Sequence, residues 1–446
     1  MKEENLIYSL DGRPPLKVAI PLGMQHILAM FTGNIAPIII ICNVLQIPIE
    51  QKTLMIQCAM LVAGIVTLVC LYPIGPVGAR LPLVVGTSFA FVPTAIAVGK
   101  AYGIAGVLGA SFLGSFAEVF LGVFLKKLRR FFPPLVTGVV LIAIGMSLMP
   151  VGINYFAGGV GAKDFGSPQN LMLGFIVLTI VVLLQRFGKG IFNLSAMLVA
   201  LVIGYLIAIP MGKINFDAIA SAGWVAFPMP MQLGMEFHLD AVIKFALVYL
   251  VVGLETLGNV SAIALGGANR EATDREMSGA VIADAVGSAF GAIFNVLPNT
   301  AYGQNAGIIA MTGVVNRFCV ATGAVFLILA GIFPKFGAVC AAMPPSVLGG
   351  AVVLVFAMIT ISGMKMITRS ALDSRNSLIL AVSLGLGLGF SGVPASLEQM
   401  PAALKFFFED AVVASGITAL ILNVILPQSK PQQTAPAAAE PELLEA

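Results

Sequence analysis

Apolar segments long enough to cross a bilayer recur along almost the whole chain, from about residue 18 to about residue 427. An α-helix needs about 20 consecutive, mostly apolar residues to span the hydrocarbon core. Of the 446 residues, 59% are hydrophobic and only 10% are charged, whereas soluble domains carry about 25% charged residues. The sequence therefore predicts an all-α polytopic membrane protein and excludes a soluble globular protein.

Gly, Pro and charged residues divide the apolar sequence into fourteen predicted spans. These cover about residues 18–44, 53–74, 82–99, 104–126, 134–149, 170–187, 193–211, 240–263, 275–295, 298–313, 315–333, 344–365, 376–390 and 409–427. Lys and Arg concentrate in the loops on the side of the N-terminus, and cytoplasmic loops carry such an excess. We therefore expect a multi-pass protein of the plasma (cytoplasmic) membrane with both termini in the cytoplasm.

Several classes of function are excluded by what the sequence lacks. The formal net charge is only +3, and no basic block could neutralise a row of phosphates, so nucleic-acid binding is not expected. The chain has no HExxH, GxSxG, GKS or GKT motif, which argues against an enzyme and against an ATP-driven pump. The five cysteines form no CxxC pair, and we expect small core residues rather than disulfides or metal ligands. No cofactor or metal site is predicted.

Two predicted spans, the third and the tenth, are unsuited to a continuous helix in lipid. Residues 86–88 and Pro93 interrupt the third, and residues 298–307 crowd Pro, Asn, Thr, Gly and Gln into the tenth. Such backbone is tolerated only where it is buried in protein or lines a cavity, so we expect short extended segments followed by half-helices. Spans three and ten lie seven spans apart, so they occupy equivalent positions in two halves of seven spans each. Because each half has an odd number of spans, the second half inserts in the opposite orientation, and the two halves are inverted repeats. Paired interruptions indicate a transporter's binding site; ordinary Gly/Pro kinks are the alternative.

Four ionisable residues inside predicted spans stand out, because the energetic cost of such residues makes them candidates for function. They are His26, Glu118, Glu255 and Asp284. Gly258 and Asn259 follow Glu255 by three and four residues and so share its helix face. The Glu255 carboxylate is therefore predicted to face a small, polar surface that can admit a ligand; the alternative is a carboxylate satisfied by neighbouring helices.

The sequence leaves two possible roles open for Asp284 and for His26. Asp284 has a small-residue face, and a buried carboxyl group there can take up and release a proton or can form a purely structural hydrogen bond. His26 could orient Glu255 or Gln304, or could be a packing residue. Both are therefore candidates rather than assignments.

Two charged residues, Glu118 and Lys244, lie near predicted span ends. Glu118 lies about two turns before Lys126, which favours an ion pair or a helix-end role. Lys244 stands near a span end, where its side chain can extend to the interface.

The tenth span contains a recognisable motif. QNAGIIAMTG, which begins at Gln304, resembles the signature of the nucleobase–ascorbate transporter family, in which Gln, Glu or Pro is followed by Asn-x-Gly-x4-Thr. This family is also called nucleobase:cation symporter-2 and includes the xanthine/uracil permeases. The resemblance runs from about residue 14 to residue 427 and includes PLGMQHILAMF in span one, GTSFAF in span three, the Glu255 helix, PNTAYGQN before the signature, and MPPSVLGGAVVLVFAMITISG in span twelve. Several motifs in the family's order make the match specific.

The resemblance implies fourteen spans in two inverted seven-span repeats, a core domain that carries the substrate, a gate domain against which the core moves, and a homodimer. The implied divisions are residues 1–17 (cytoplasmic N-terminus), 18–130 and 236–340 (the halves of the core), 131–235 and 341–427 (the halves of the gate), and 428–446. The last segment is rich in Ala, Pro, Gln and Glu, a composition that also predicts a disordered cytoplasmic tail.

The same resemblance implies a substrate site. Glu255 and Gln304 match the two positions whose side chains bind the nucleobase. The other matched positions are Phe89, Gly303 and Gly33, which complete the pocket, Asn305, the signature asparagine, and His26, the span-one histidine. An ionised Glu255 can accept from two ring N–H groups, and the Gln304 amide can both donate and accept. Phe89 could stack on the ring face.

Three positions distinguish branches of the family. Gln304 stands where uracil carriers commonly have Glu, which resembles the xanthine and uric acid branch. Asn259 stands where uracil carriers have His, which disfavours their proton route and moves the proton role towards Asp284, a match to an Asp of xanthine carriers. Ala90 stands where xanthine-selective relatives often carry Asn, and the smaller side chain could admit uric acid or other oxidised purines.

The sequence therefore predicts a proton-coupled symporter that imports a purine nucleobase, xanthine or uric acid, by an elevator-type alternating-access mechanism. The alternatives are a uracil permease of the same family, a passive channel, and an inorganic anion transporter of the same fold. The Glu255 carboxylate disfavours the last, because it repels an anion. The expected partners are a nucleobase, a proton, the lipid bilayer and a second copy of the chain.

Overall fold

The computed structural model describes residues 6–128 and 133–427. These residues are mostly helical. The disordered tail predicted at 428–446 lies outside the described residues, as do residues 1–5 of the predicted N-terminal segment.

In the first half of the chain, the longer helices and one short strand lie at the predicted spans, and shorter helices lie at span ends or between spans. They are α1 (Leu16–Val44), α2 (Ile49–Leu71), β1 (Val85–Thr87), a 3-10 turn (Phe89–Phe91), α3 (Val92–Val123), α4 (Leu125–Leu128), α5 (Pro134–Phe156), α6 (Pro168–Phe187), α7 (Ile191–Leu194), α8 (Ala196–Ala208) and α9 (Phe216–Ser221). The predicted boundary between spans three and four falls inside α3, at Gly103, where φ is +67° and ψ is −175°. Glycine adopts this left-handed backbone without a steric penalty, so the helix breaks there.

The second half follows the same pattern. Its elements are α10 (Leu239–Ala268), α11 (Asp274–Ile293), β2 (Asn299–Ala301), α12 (Gly303–Thr312), α13 (Arg317–Gly331), α14 (Pro334–Ala341), α15 (Pro345–Ile367), α16 (Ser374–Gly392), a 3-10 turn (Pro394–Leu397), α17 (Ala402–Phe408) and α18 (Ala411–Ile425). Local signals start several of these helices. Thr273 and Glu276 form a reciprocal capping box at α11, which satisfies backbone N–H groups that the first turn leaves free.

Seven helical segments of the described chain are long and apolar enough to cross a membrane. They lie at Leu16–Val44, Ile49–Leu71, Phe89–Val123, Pro134–Phe156, Pro168–Phe187, Leu239–Ala268 and Pro345–Ile367. The pair α13 and α14, bent by 85°, makes eight if it counts as one span, while α8 and α18 are shorter apolar helices. The chain is thus a multi-pass helical membrane protein, and the total of fourteen spans stays a prediction.

Helices from the two halves of the chain pack against each other. The main pairs are α5 with α15, α3 with α10 and α11, and α2 with α13. Small residues allow close approach: a β-carbon on Gly363 of α15 would lie 2.8 Å from the backbone oxygen of Gly138 on α5. Small residues at helix crossings are the usual means of tight packing in membranes. The two halves are therefore interleaved rather than side by side.

The main apolar cluster runs through α1, α2, α3 and α10. Within it the consecutive residues 38–41 of α1 are all isoleucine with no exposed surface. Burial on every side of the helix means that protein surrounds α1 at this depth. All five cysteines are buried, as expected of small core residues.

Candidate substrate-binding site

The two interrupted segments meet in a short antiparallel ladder. β1 pairs with β2 so that Gly86 stands opposite Thr300, and every residue of both strands is buried. Extended backbone at membrane depth needs hydrogen-bond partners within the protein, and each strand supplies them to the other. The 3-10 turn at Phe89 follows β1, and α12 begins at Gly303 just after β2. The ladder therefore brings the starts of both following helical segments to one place.

Polar side chains on both sides hold the ladder in position. The Tyr302 hydroxyl donates to the Thr87 carbonyl at 2.7 Å, and Asn34 Oδ1 accepts from the Thr87 N–H at 2.9 Å. Gly86 has no room for a side chain, because a β-carbon would lie 2.7 Å from Asn34 Oδ1 and 2.8 Å from Tyr302 Cε2. Gly33 also packs against Tyr302, and its β-carbon would lie 2.9 Å from Cε1. The junction is therefore tightly packed against α1.

Glu255 is half-buried on α10. Its carboxylate has no hydrogen bond or ion pair with any described residue. A β-carbon on Gly258, on the same face, would meet no atom within 4 Å. Asn259 donates its amide to the Ala301 carbonyl at 2.8 Å, which fixes α10 to β2. The Glu255 carboxylate is thus held near the ladder with all its acceptor sites free.

Gln304 is exposed on the first turn of α12, and within the described chain its amide has no hydrogen bond. A β-carbon on Gly303 would lie 3.1 Å from Asn259 Oδ1, whereas one on Gly307 would meet nothing within 4 Å. Asn259 therefore contacts β2 and the start of α12 from the helix that carries Glu255. Two uncommitted polar side chains, Glu255 and Gln304, flank the same junction.

His26 and Asn305 form a buried hydrogen-bonded pair between α1 and α12. Asn305 Nδ2 lies 3.0 Å from His26 Nδ1 and donates to the His26 carbonyl at 3.2 Å. The exposed fraction is 3% for His26 and 0% for Asn305. Within the described residues, the hydrogen-bond partner of the His26 ring is Asn305, the residue next to Gln304.

Phe89 and Ala90 follow β1 but differ in surroundings. The Phe89 ring is half-buried and packs edge-on against Phe356 of α15, with 5.7 Å between ring centroids. Ala90 is buried, and its N–H donates to Ser88 Oγ at 3.2 Å. Phe89 therefore lies at a contact with α15, and Ala90 is a small buried residue beside it.

Asp284 is fully buried on α11. Its Oδ2 accepts from the Thr256 hydroxyl at 2.7 Å, while Oδ1 has no partner among the described residues. Thr256 directly follows Glu255 in the chain. Asp284 is therefore tied to the back of the helix that presents the Glu255 carboxylate.

Two predictions about charged residues are wrong. Glu118 forms no ion pair with Lys126, which pairs with Asp274 at 2.7 Å, and its side chain is fully buried instead. Lys244 does not extend to the interface: it is fully buried, with Nζ 3.3 Å from the centroid of the Phe406 ring. In both cases helices that are distant in sequence bury the charged group. Such burial cannot be predicted from the position of a span boundary.

Sequence reasoning missed three residues that build the site. They are Asn34, Thr256 and Tyr302, each of which anchors a neighbour through a side-chain hydrogen bond. The signals available were a polar amide inside the first span and a tyrosine two residues before the signature motif. Neither signal predicts the hydrogen-bond partner, because the partners lie on other helices and strands.

A separate cavity of about 680 Å³ contains none of the predicted site residues; its lining includes Lys52, Lys100 and Lys213. Lys213 pairs there with Asp164 at 2.6 Å, and this hydrogen bond lowers the pKa of the Asp164 carboxyl. In the part of the chain that the structure describes, no group of three or more His, Cys, Asp or Glu side chains could hold a metal ion.

Comparisons with known proteins identify a family, related sequences and a similar structure. The family model Xan_ur_permease, described as "Permease family", matches residues 17–396. The xanthine permease of Bacillus subtilis (strain 168) is 37% identical over 409 residues, which cover 91% of this chain and 93% of the relative. The xanthine permease XanP of Escherichia coli (strain K12) is 33% identical over 445 residues, 96% of each chain. The transmembrane domain of the cyanobacterium bicarbonate transporter BicA has a TM-score of 0.57 at 14% identity, covering 92% of this chain and 97% of that one. At this identity the likeness shows the fold alone.

Proposed function

The chain belongs to this permease family, and from that premise we propose that it is a proton-coupled symporter that imports a purine nucleobase, xanthine or uric acid. A member of a permease family is a transporter rather than an enzyme, in agreement with the missing enzyme motifs. The observation that carries the proposal is the pair of uncommitted side chains, Glu255 and Gln304, beside the buried strand junction. Relatives with 33% and 37% identity are xanthine permeases.

The chemistry of these two side chains suits a purine base. A xanthine ring presents N–H donors and C=O acceptors in one plane. An ionised Glu255 accepts from N–H groups, while the Gln304 amide donates to a carbonyl and accepts from another N–H. An analogue that lacks one of these groups leaves a buried partner unpaired, at a cost of about 1–3 kcal/mol.

The remaining site residues shape or support this pocket. Phe89 packs on the ring face of the base once its contact with Phe356 opens. The Asn305–His26 pair positions the first turn of α12 rather than the base itself. Ala90, where a larger residue would reduce the space, leaves room for the extra oxygen of uric acid.

Movement of the site follows an elevator-type mechanism with fourteen spans in two inverted halves. Residues 18–130 and 236–340 form the moving core, and residues 131–235 and 341–427 form the gate. Two features support this division: α3 packs on α10 and α11 whereas α5 packs on α15, and β1 and β2 meet antiparallel at equivalent places of the two halves. The protein works as a homodimer in the plasma membrane, with both termini in the cytoplasm.

Proton coupling resides on Asp284, with Glu255 as the acceptor for the base. Asn259 cannot carry a proton, since an amide does not titrate near neutral pH, and its amide is engaged by the Ala301 carbonyl. Asp284 is buried and linked to the Glu255 helix through Thr256. Its protonation neutralises the core and favours movement of the core past the apolar gate.

Two alternative substrates have specific arguments against them. A uracil carrier of the family commonly has Glu in place of Gln304 and His in place of Asn259. An inorganic anion carrier of the same fold is suggested by the likeness to a bicarbonate transporter, but a free carboxylate at Glu255 repels an anion. Anion sites are better built from helix N-termini with a cation nearby.

Uptake by permease-null cells tests the proposal. Cells that express the chain are supplied with radiolabelled xanthine at two pH values, in competition with a panel of purines, uracil and bicarbonate. We expect competition by xanthine and uric acid and faster uptake at the lower external pH. Uptake that only uracil or only bicarbonate inhibits would contradict the purine assignment.

A further inference from the structure

Glu118 on α3 is a buried carboxyl group that no element of the proposed mechanism uses. Its side chain has 0% exposure, and neither Oε1 nor Oε2 has a hydrogen-bond partner within the described residues. A carboxylate in this state is strongly disfavoured, because burial removes its hydration without replacing it. The group therefore requires a proton or a bound cation.

Glu118 lies against the helices that carry Glu255 and Asp284. A β-carbon on Gly253 of α10 would lie 3.1 Å from Glu118 Oε1, so a glycine at this point admits the carboxyl group. One turn after Glu118, the Gly122 carbonyl accepts from Ser278 of α11 at 2.7 Å, which fixes α3 to α11. Thr256 follows Gly253 by three residues and so lies on the same face of α10, and its hydroxyl donates to Asp284 Oδ2 at 2.7 Å. Glu118 and Asp284 therefore approach the same side of α10.

Within residues 6–128 and 133–427, no counter-charge offsets this pair. Among the ion pairs of the described residues, none joins Lys, Arg or His to Glu118 or Asp284. Among the described residues, the other titratable groups that interact electrostatically with a member of the pair are Glu255 and Tyr249 on α10, Cys70 on α2 and Tyr302 before α12. The Tyr249 hydroxyl is already engaged with Ser111 Oγ at 3.0 Å. Two like charges enclosed together cannot both persist, so the pair holds at least one proton.

We propose that Glu118 and Asp284 form one proton-holding site inside the core, and that the proton carried during import is bound there. This inference rests on the proposed function and adds Glu118 to it. An O–H bond forms on an unpartnered carboxylate oxygen when a proton enters from the outer solution, and the same bond breaks when the proton leaves to the cytoplasm. The Thr256 hydroxyl couples this site to the Glu255 helix.

A metal cation fits the same place less well. Hard cations such as Ca²⁺ take about six to eight oxygen ligands. The described residues leave three unpartnered oxygens at this place, Glu118 Oε1 and Oε2 and Asp284 Oδ1. A proton needs only one of them.

Infrared spectroscopy tests the site without any transport. The purified full chain in liposomes is titrated, and the C=O stretch of protonated carboxyl groups is followed. We expect a titrating band that is reduced in Glu118→Gln, and that is still present, with an altered midpoint, in Asp284→Asn, where Glu118 is the remaining member of the pair. Glu271→Gln, which changes an exposed carboxylate, should match the unaltered chain. A Glu118→Gln spectrum identical to that of the unaltered chain, or no titrating band in Asp284→Asn, would overturn the proposal.

Transport in proteoliposomes then tests the role of the site. Because Gln imitates a protonated carboxyl group, Glu118→Gln should keep xanthine exchange at equal pH within about twofold and lose accumulation driven by a pH gradient by at least about tenfold. Glu118→Asp, which keeps a titrating group, should retain part of the accumulation. If Glu118→Gln does not fold, the aspartate variant and the Asp284→Asn spectrum still decide the matter.

The outcomes separate this inference from the proposed function. If the unaltered chain binds and transports no nucleobase, the proposed function fails, while the infrared titration still reports on the carboxyl pair. If the chain carries xanthine and Glu118→Gln accumulates it normally, the function stands and the role of Glu118 is refuted. Accumulation that follows an imposed Na⁺ gradient rather than a pH gradient would also overturn the proton site.

Discussion

The side-chain amide of Asn305 lies against the ring of His26, with 3.0 Å between Nδ2 and Nδ1. Because an amide nitrogen only donates, His26 Nδ1 accepts, so the ring is neutral with its proton on Nε2. Both residues are buried, one on α1 and the other on the first turn of α12. The bond therefore fixes the helix start that presents Gln304.

Asn305→Ala should weaken substrate binding through Gln304. The change leaves the buried His26 Nδ1 without a donor, at an expected cost of about 1–3 kcal/mol in stability, and frees the first turn of α12. We expect a raised KM for xanthine uptake and a lower melting temperature. A lowered melting temperature with an unchanged KM would show that the pair stabilises the fold without positioning Gln304.

Glu255→Gln should abolish uptake while the protein still reaches the membrane. The amide replaces one acceptor with a donor that faces the ring N–H groups of the base. Uptake of radiolabelled xanthine and surface expression are measured together, with Glu271→Gln as the matched exposed control. Near-normal transport would remove Glu255 from the substrate site.

Gln304→Glu should retain some transport with altered specificity. A carboxylate accepts hydrogen bonds but cannot donate one to a ring carbonyl. Ligands with an additional N–H at that position should therefore bind more tightly, and ligands with a C=O there should bind more weakly. The inhibition profile over purines and pyrimidines measures the shift. An unchanged profile would mean that Gln304 does not contact the base.

Asp284→Asn should keep xanthine binding and exchange but lose accumulation driven by a pH gradient. The amide can still accept from the Thr256 hydroxyl, so the contact seen at 2.7 Å survives while the titrating group is lost. Proteoliposomes with and without an imposed pH gradient distinguish the two properties. Full accumulation that a protonophore still dissipates would place the proton elsewhere, on Glu255 or His26.

Gly86→Ala should destabilise the strand junction. The new β-carbon would lie 2.7 Å from Asn34 Oδ1 and 2.8 Å from Tyr302 Cε2, and overpacking of this kind costs about 1–3 kcal/mol. Gly385→Ala on α16 is the matched control, because its β-carbon meets nothing within 4 Å. Thermal unfolding in detergent should separate the two variants, and equal melting temperatures would contradict the tight packing.

Features that depend on residues close together in the chain could be predicted from the amino-acid sequence. Apolar length and low charge predict a multi-pass helical membrane protein, because a bilayer rejects unsatisfied polar groups. The Gly, Pro and polar residues at 86–88 and 298–307 indicate the two broken segments, and the structure has β1 and β2 there. The free face of Glu255 follows from helical spacing to Gly258 and Asn259.

Contacts between residues far apart in the chain could not be predicted in this way, because they depend on how the helices pack. Tyr302 and Thr87 are hydrogen-bonded across 215 positions of sequence, and His26 and Asn305 across 279. Glu118, expected at a helix end beside Lys126, is enclosed instead because α10 and α11 cover its face of α3. Helical spacing specifies which face a side chain occupies, whereas its partner and its access to water depend on how helices from both halves of the chain pack.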